Sequence, residues 1–316
     1  MNKFIFKSLF TFSIILGGYL VVSYIVNGDD KKSNDYLAAI EDKHKRIGKI
    51  NSPKIILAGG SNLAFGINSE KIQKDLSIPV VNLGLHAGLG LEFIINELKT
   101  SIKKDDIIIL SIEYFLEKKG SYRLKTYTKT LYPNASKYFK KNMKEDISIH
   151  IEKTRKNLKS INQSRKVDTS FSIYSRKGFN KFGDVVSHLD LIPPKEIANR
   201  TILSYRIWEG IEILNDFFDY ANSIGVHVFF IYPNYPKSEY KKNKKIIDKL
   251  HQDLMSNLLI ETLGTPKDFI FNDSLFFDTI YHLNKEGRNL RTIRLIELLK
   301  NSASIQQCMK KITKTK

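Results

Sequence analysis

Cysteine is almost absent from this sequence, which removes two ways of holding a chain together or binding a metal. The one cysteine, Cys308, sits in a polar C-terminal tail with no second cysteine to pair with, so neither a disulfide framework nor a thiolate metal cluster can form. No pair of histidines or carboxylates has the spacing of a zinc site, and Gly84, Gly88 and Gly90 do not make the GxGxxG pattern of a dinucleotide loop. No metal or cofactor is therefore expected. Acid is also scarce, with 33 Asp and Glu against 51 Lys and Arg and a net charge of +18. Clustered cations draw polyanions, but these lysines are scattered among Asn and Ile as on solvated helix faces, and nucleic acid is not the expected partner. Internal repeats are missing as well.

A long uncharged run is present at the N-terminus. Lys3 and Lys7 precede Ser8 to Val26, long enough to cross a bilayer at about 1.5 Å of rise per residue, and the run stops at Asn27-Gly28-Asp29-Asp30. The only segment resembling a cleavage site, Ser23-Tyr24-Ile25, is a poor one, and no cysteine follows for lipidation. An uncleaved signal anchor over residues 1–30 is expected, single-pass, with lysines inside and the globular part extracytoplasmic.

Residues 31–52 read as a polar stalk with one helical stretch, Tyr36 to Ile47. From there strand and helix alternate. Strands are expected at Lys54–Ala58, Val80–Leu83, Asp106–Ile112, Val226–Tyr232 and Asp268–Phe271, and helices at Leu91–Ile102, Ile202–Ser223, Lys237–Leu259 and Asn284–Leu299. This pattern predicts an α/β domain over residues 53–302, a three-layer α/β/α sandwich around a mostly parallel sheet with right-handed crossovers. A basic, Tyr-rich insertion interrupts it at about 116–198, with helix expected chiefly over Ala135–Ser160, serving as a lid or as a solvated decoration. Residues 303–316 are read as the polar tail.

Two segments could carry chemistry. Gly59-Gly60-Ser61-Asn62 follows the first strand, where glycines permit a sharp turn at the carboxyl edge of a parallel sheet and Ser61 is either a helix cap or an exposed nucleophile. Near the other end, Asp278 and His282 share one loop: a serine needs a base to take its proton, and an imidazole needs a carboxylate to hold its tautomer. Asp273 is a weaker alternative carboxylate. His227, within a strand, and Glu92, opening a helix, are read as structural.

With this chain order, nucleophile after the first strand and Asp/His before the last helix, residues 54–300 apart from the insertion resemble the SGNH (GDSL-like) hydrolases. Gly59–Asn62 matches that family's first block, Asn82-Leu83-Gly84 its second, and Asp278–His282 its last. The resemblance implies Ser61 as nucleophile, His282 as base, Asp278 as its orienter, and the Ser61 and Gly84 amides as oxyanion donors. It further implies a serine-dependent esterase or O-acyltransferase acting on acyl, chiefly O-acetyl, esters of an envelope polysaccharide or other acylated glycan, with a membrane acyl donor as a further partner. The sequence departs from the pattern twice. Glu113 stands where the family has an asparagine donor, and three residues rather than two separate Asp278 from His282. An ionised Glu113 can only accept, which leaves Asn62 or His86 as replacement donors, or a catalytically inactive glycan-binding or assembly protein as the alternative.

Overall fold

The runs Ile55–Gly59, Ile107–Ser111 and His227–Ile231 have no polar face, and apart from half-exposed His227 every residue in them is buried, as in the interior of a parallel sheet. The computed structural model that places them describes residues 2–27, 34–160 and 172–314. In chain order its elements begin with α1 (Asn2–Asn27), α2 (Ala39–Lys49), β1 (Ile55–Gly59), α3 (Ser61–Gly66), α4 (Ser69–Leu76) and β2 (Val80–Asn82). Next come α5 (Leu91–Lys99), β3 (Ile107–Ser111), α6 (Tyr122–Leu131), α7 (Met143–Ser160), α8 (Gly210–Ser223) and β4 (His227–Ile231). The chain continues through β5 (Tyr235–Pro236), α9 (Lys237–Asn257), β6 (Glu261–Thr262), β7 (Ile270–Phe271), α10 (Lys285–Asn301) and α11 (Ala303–Lys314).

Two compact units result, Met1–Lys32 with Lys141–Phe171, and Ser33–Lys140 with Ser172–Lys316. In the first, α1 carries an apolar stretch, Lys3–Tyr24, long and apolar enough to cross a membrane. It pairs with α7 through polar groups: Ser23 Oγ lies 2.7 Å from His150 Nε2 and 3.2 Å from Thr154 Oγ1. Residues 141–160 thus belong with the N-terminal helix and not with the rest of the insertion.

In the second unit the sheet runs β2-β1-β3-β4-β6 with every neighbouring pair parallel. Each fully buried Ile, Leu or Phe contributes about 1.5–3 kcal/mol relative to exposure, and the aliphatic runs of β1 and β3 lie wholly within the core. Several expected boundaries shift. Residues 202–208 have no regular secondary structure, Glu209 is a turn, and the helix begins only at Gly210. Helix over 135–160 is confined to α7, with a 3-10 turn at Pro133–Lys137 before it. The strand expected at 268–271 is a short 3-10 turn leading into β7, which pairs with β5 outside the main sheet. The fifth strand of the main sheet is instead β6.

Two segments expected to be peripheral are packed. Tyr36, Leu37 and Ile40 of the supposed stalk are buried, and the Lys43 ammonium on α2 reaches the carbonyls of Asn82 (2.9 Å) and Gly183 (2.6 Å). Burial lowers Lys43 to about 7. The supposed tail is α11, whose Ile305 and Cys308, three apart on one helix face, are buried in the main core.

Residues 172–198 are tied to this unit by Asp184, which is fully buried. Its carboxylate accepts from Ser69 N–H (2.9 Å), Ser69 Oγ (2.5 Å), Asn82 Nδ2 (2.9 Å) and Arg288 Nη2 (3.1 Å). Removing a buried carboxylate strands its buried cation. Asp184→Ala is therefore expected to lose about 3–5 kcal/mol in chemical denaturation of the detergent-solubilised chain. A loss below 1 kcal/mol would show that the network is not needed.

Candidate active site

β1 carries Gly59 to the carboxyl edge of the sheet, and Ser61 opens α3 one residue beyond Gly60. Close approach requires both glycines: a Cβ on Gly59 would lie 2.0 Å from the Ser111 carbonyl oxygen, and one on Gly60 2.2 Å from Glu113 Oε1. Ser61 is half-buried on the wall of an open cavity of about 560 Å³, shared with His282, Glu113, His86, Tyr174 and Tyr281. That volume suits a small organic ligand.

The 276–283 loop folds back on itself, with Phe277 N–H donating to the His282 carbonyl at 2.7 Å and Ala198 N–H donating to the Asp278 carbonyl at 2.7 Å. Three intervening residues prove sufficient to close the pair: His282 Nδ1 lies 2.8 Å from Asp278 Oδ1. A carboxylate can only accept there, which assigns the proton to Nδ1 and leaves Nε2 as a base. The imidazole is buried and stacks on Phe65, with centroids 3.9 Å apart and planes at 8°. Tyr174 donates its hydroxyl to Asp278 Oδ2 and sits 3.3 Å from His282 Nδ1. Burial raises the Asp278 carboxyl, but the hydrogen bond and charge of His282, with the Tyr174 hydrogen bond, outweigh it and hold the group below its ordinary value. Tyr174 is pushed up by burial and by the same carboxylate. Ser61 and His282 face one cavity without a hydrogen bond between them among the described residues.

Two expected donors lie elsewhere. The Asn62 side chain points beneath the turn: Nδ2 donates to the Ser111 carbonyl (3.0 Å), and Oδ1 accepts from Ser111 Oγ and Arg291 Nη2, both at 2.9 Å. Asn62 therefore fixes the turn from below and offers nothing to the cavity. The Gly84 N–H donates to Asn82 Oδ1 at 2.9 Å, and Gly84 is buried, outside the cavity lining. Its lack of a side chain serves packing, since a Cβ would meet Leu63 Cβ at 2.7 Å and the Gly60 carbonyl at 2.9 Å.

His86 does line the cavity, with Nδ1 accepting from Gly88 N–H at 2.9 Å, so the neutral ring carries its proton on Nε2. Glu113 is 4 % exposed, with Oε1 accepting from Asn62 N–H at 3.2 Å and Oε2 without a partner among the described residues. Burial raises its pKa against the opposing pull of hydrogen bonds from Asn62 and the charge of His282. Asp273, the other carboxylate considered, accepts from Ser238 N–H (3.0 Å) and Arg200 (3.4 Å), at the start of α9. No group of three or more His, Cys, Asp or Glu among the described residues could hold a metal. Compared with models of known families and with curated proteins, the chain matches neither.

Tyr174 and Phe65 are the functional neighbours the sequence did not reveal. Phe65 lies four residues after Ser61 on α3 and was open to notice as an aromatic one helical turn on. Tyr174, 104 positions before Asp278, had no local signal. Asp278 is ionised more readily folded than unfolded, so its stabilisation is present above its unfolded pKa and is lost as pH falls through the folded value. Tyr174→Phe removes a donor and raises that folded value. The variant is expected to lose structure at higher pH than the wild type during acid titration followed by circular dichroism, whereas an unmoved midpoint would deny Tyr174 this role.

Proposed function

We propose that this chain is a membrane-anchored serine hydrolase or O-acyltransferase of the SGNH type, acting on acyl esters of a cell-envelope glycan. The observation that carries the reading is the Asp278–His282 pair, 2.8 Å apart, set on the cavity that Ser61 opens into. In outline, Ser61 Oγ attacks the ester carbonyl carbon while His282 Nε2 takes its proton, and the carbonyl π electrons move onto oxygen. Collapse of the tetrahedral intermediate expels the alkoxide, which leaves with the proton from His282. Water or a glycan hydroxyl then repeats the sequence on the acyl-serine. Asp278 holds the tautomer and stabilises the imidazolium, and Tyr174 secures the far carboxylate oxygen.

A three-layer α/β/α arrangement of SGNH type accounts for the parallel sheet with the nucleophile at its carboxyl edge. Tyr36, Tyr114, Tyr174 and Tyr281 around the cavity supply flat amphipathic faces of the kind that pack on sugar rings. The uncharged run Ser8 to Val26, within α1 and with Lys3 and Lys7 before it, supports an orientation with the catalytic unit outside the membrane.

One observation favours a second reading, a catalytically silent glycan-binding or assembly protein: the Gly84 amide is already engaged by Asn82. Turnover separates the two. With p-nitrophenyl acetate as substrate, the wild type is expected to be active, Ser61→Ala inactive, and Asp278→Asn slower by roughly 10⁴-fold, the loss typical when a base is held in the wrong tautomer. Full turnover in Ser61→Ala, or glycan binding without any turnover in the wild type, would sink the hydrolase.

A further inference from the structure

Resting on that reading, we propose that Glu113 acts as a neutral carboxylic acid, a catalytic residue that donates its O–H to the oxyanion formed when Ser61 attacks an ester. The need for such a donor follows from the site itself. Gly84 has its N–H bound to Asn82, and the Asn62 amide is held beneath the turn by Ser111 and Arg291. That leaves the Ser61 backbone N–H, which as the first residue of α3 has no acceptor within the helix, and whatever side chain faces the same point. Of the cavity's side chains with a donor to offer, which include the neutral His86 at Nε2, Glu113 is the one packed against Gly60, next to Ser61. Its carboxyl packs flat against Gly60, with both oxygens within 2.6 Å of where a Gly60 Cβ would be, so it borders the residue next to Ser61 and lines the same cavity.

The two oxygens are unequal in a way that suits a protonated acid. Oε1 accepts the Asn62 N–H, as a carbonyl oxygen would, while Oε2 is buried with no partner among the described residues. An unpartnered oxygen is costly for a carboxylate, but for an acid it is a hydroxyl waiting for an acceptor. No Lys or Arg forms an ion pair with it among the described residues. The facing groups that titrate or carry charge are His282, Tyr36 and Tyr281 across the cavity and Arg291 from α10 below. His282 and Arg291 favour the ionised form, but burial is the larger effect and the carboxyl stays above its usual range. A buried acid kept neutral to donate a hydrogen bond is an established way of stabilising an oxyanion. The proton stays on Glu113 throughout, so the step transfers nothing and adds only a strong O–H···O⁻ bond.

The test uses the full chain in detergent, p-nitrophenyl acetate and a fluorophosphonate serine probe. Glu113→Gln keeps shape and a donor, so it is expected to retain activity within about tenfold. It should also keep that activity as pH rises, where the wild type declines as Glu113 ionises. Glu113→Ala is expected to lose about 10²–10³-fold in kcat with KM little changed, the loss typical of one oxyanion donor. Should Glu113→Ala not fold, the response of Glu113→Gln to rising pH decides alone. An unchanged decline with rising pH in Glu113→Gln, near-wild-type kcat in Glu113→Ala, or a Glu113→Gln variant as dead as Ser61→Ala would each overturn the assignment while wild-type labelling leaves the Ser61 reading standing. Absence of wild-type labelling at Ser61 overturns both.

Discussion

The Arg291 guanidinium is buried directly beneath the turn that presents Ser61, and the site depends on it. From α10 it donates to the Asn62 carbonyl and to Asn234 Oδ1, both at 2.6 Å, and to Asn62 Oδ1 and Ser111 Oγ, both at 2.9 Å. One planar cation thus joins the turn after β1, the end of β3 and the segment after β4, three of the places where parallel strands deliver chain to the carboxyl edge. Its fixed fork of donors is what allows a single side chain to hold four acceptors in one geometry, which an ammonium could not match. Burial lowers its pKa to about 9 but leaves it charged at neutral pH. The close approach of α3 and α10 follows from the same contact, since a Cβ on Gly66 would fall 2.5 Å from Arg291 Nη1.

Above this anchor, the cavity is completed by a segment remote in sequence. Asp184 fastens residues 172–198 to Ser69, Asn82 and Arg288, and that attachment delivers Tyr174 to the Asp278 carboxylate. Two buried arginines three residues apart on α10, Arg288 and Arg291, therefore serve different ends of the site: one holds the insertion, the other the turn that presents Ser61. Asn82 links them, because the side-chain amide that donates to Asp184 also donates to the Leu63 carbonyl on α3, at 2.9 Å.

Strands with long apolar runs were readable because a strand buried on both faces needs no alternation and tolerates no charge, as in Ile55–Gly59 and Ile107–Ser111. The pairing of Asp278 with His282 was also foreseeable, since one short loop cannot place two such groups far apart. Elements defined by packing were not. Residues 36–49 look polar because Lys43 is among them, yet Lys43 is buried on two carbonyls. The C-terminal helix offers Ala303, Ile305, Cys308, Met309 and Ile312 as its apolar signal, set among Lys, Gln and Ser. β6 is two residues long, set by pairing with Phe229 and Phe230 and not by its own sequence. Gly84 illustrates a subtler limit: a glycine after a strand can be demanded by an oxyanion or by a neighbour's Cβ, and only the position of Leu63 decides.

In the proposed mechanism Ser61 carries the acyl group between donor and acceptor. Rapid acid quenching of the wild-type chain during reaction with an activated acetyl ester, followed by peptide mass spectrometry, tests it most directly. The account predicts a single acetyl group on the peptide containing Ser61, accumulating at early times and lost on further incubation. Acetylation confined to lysines, with the Ser61 peptide unmodified while ester is being consumed, would contradict it.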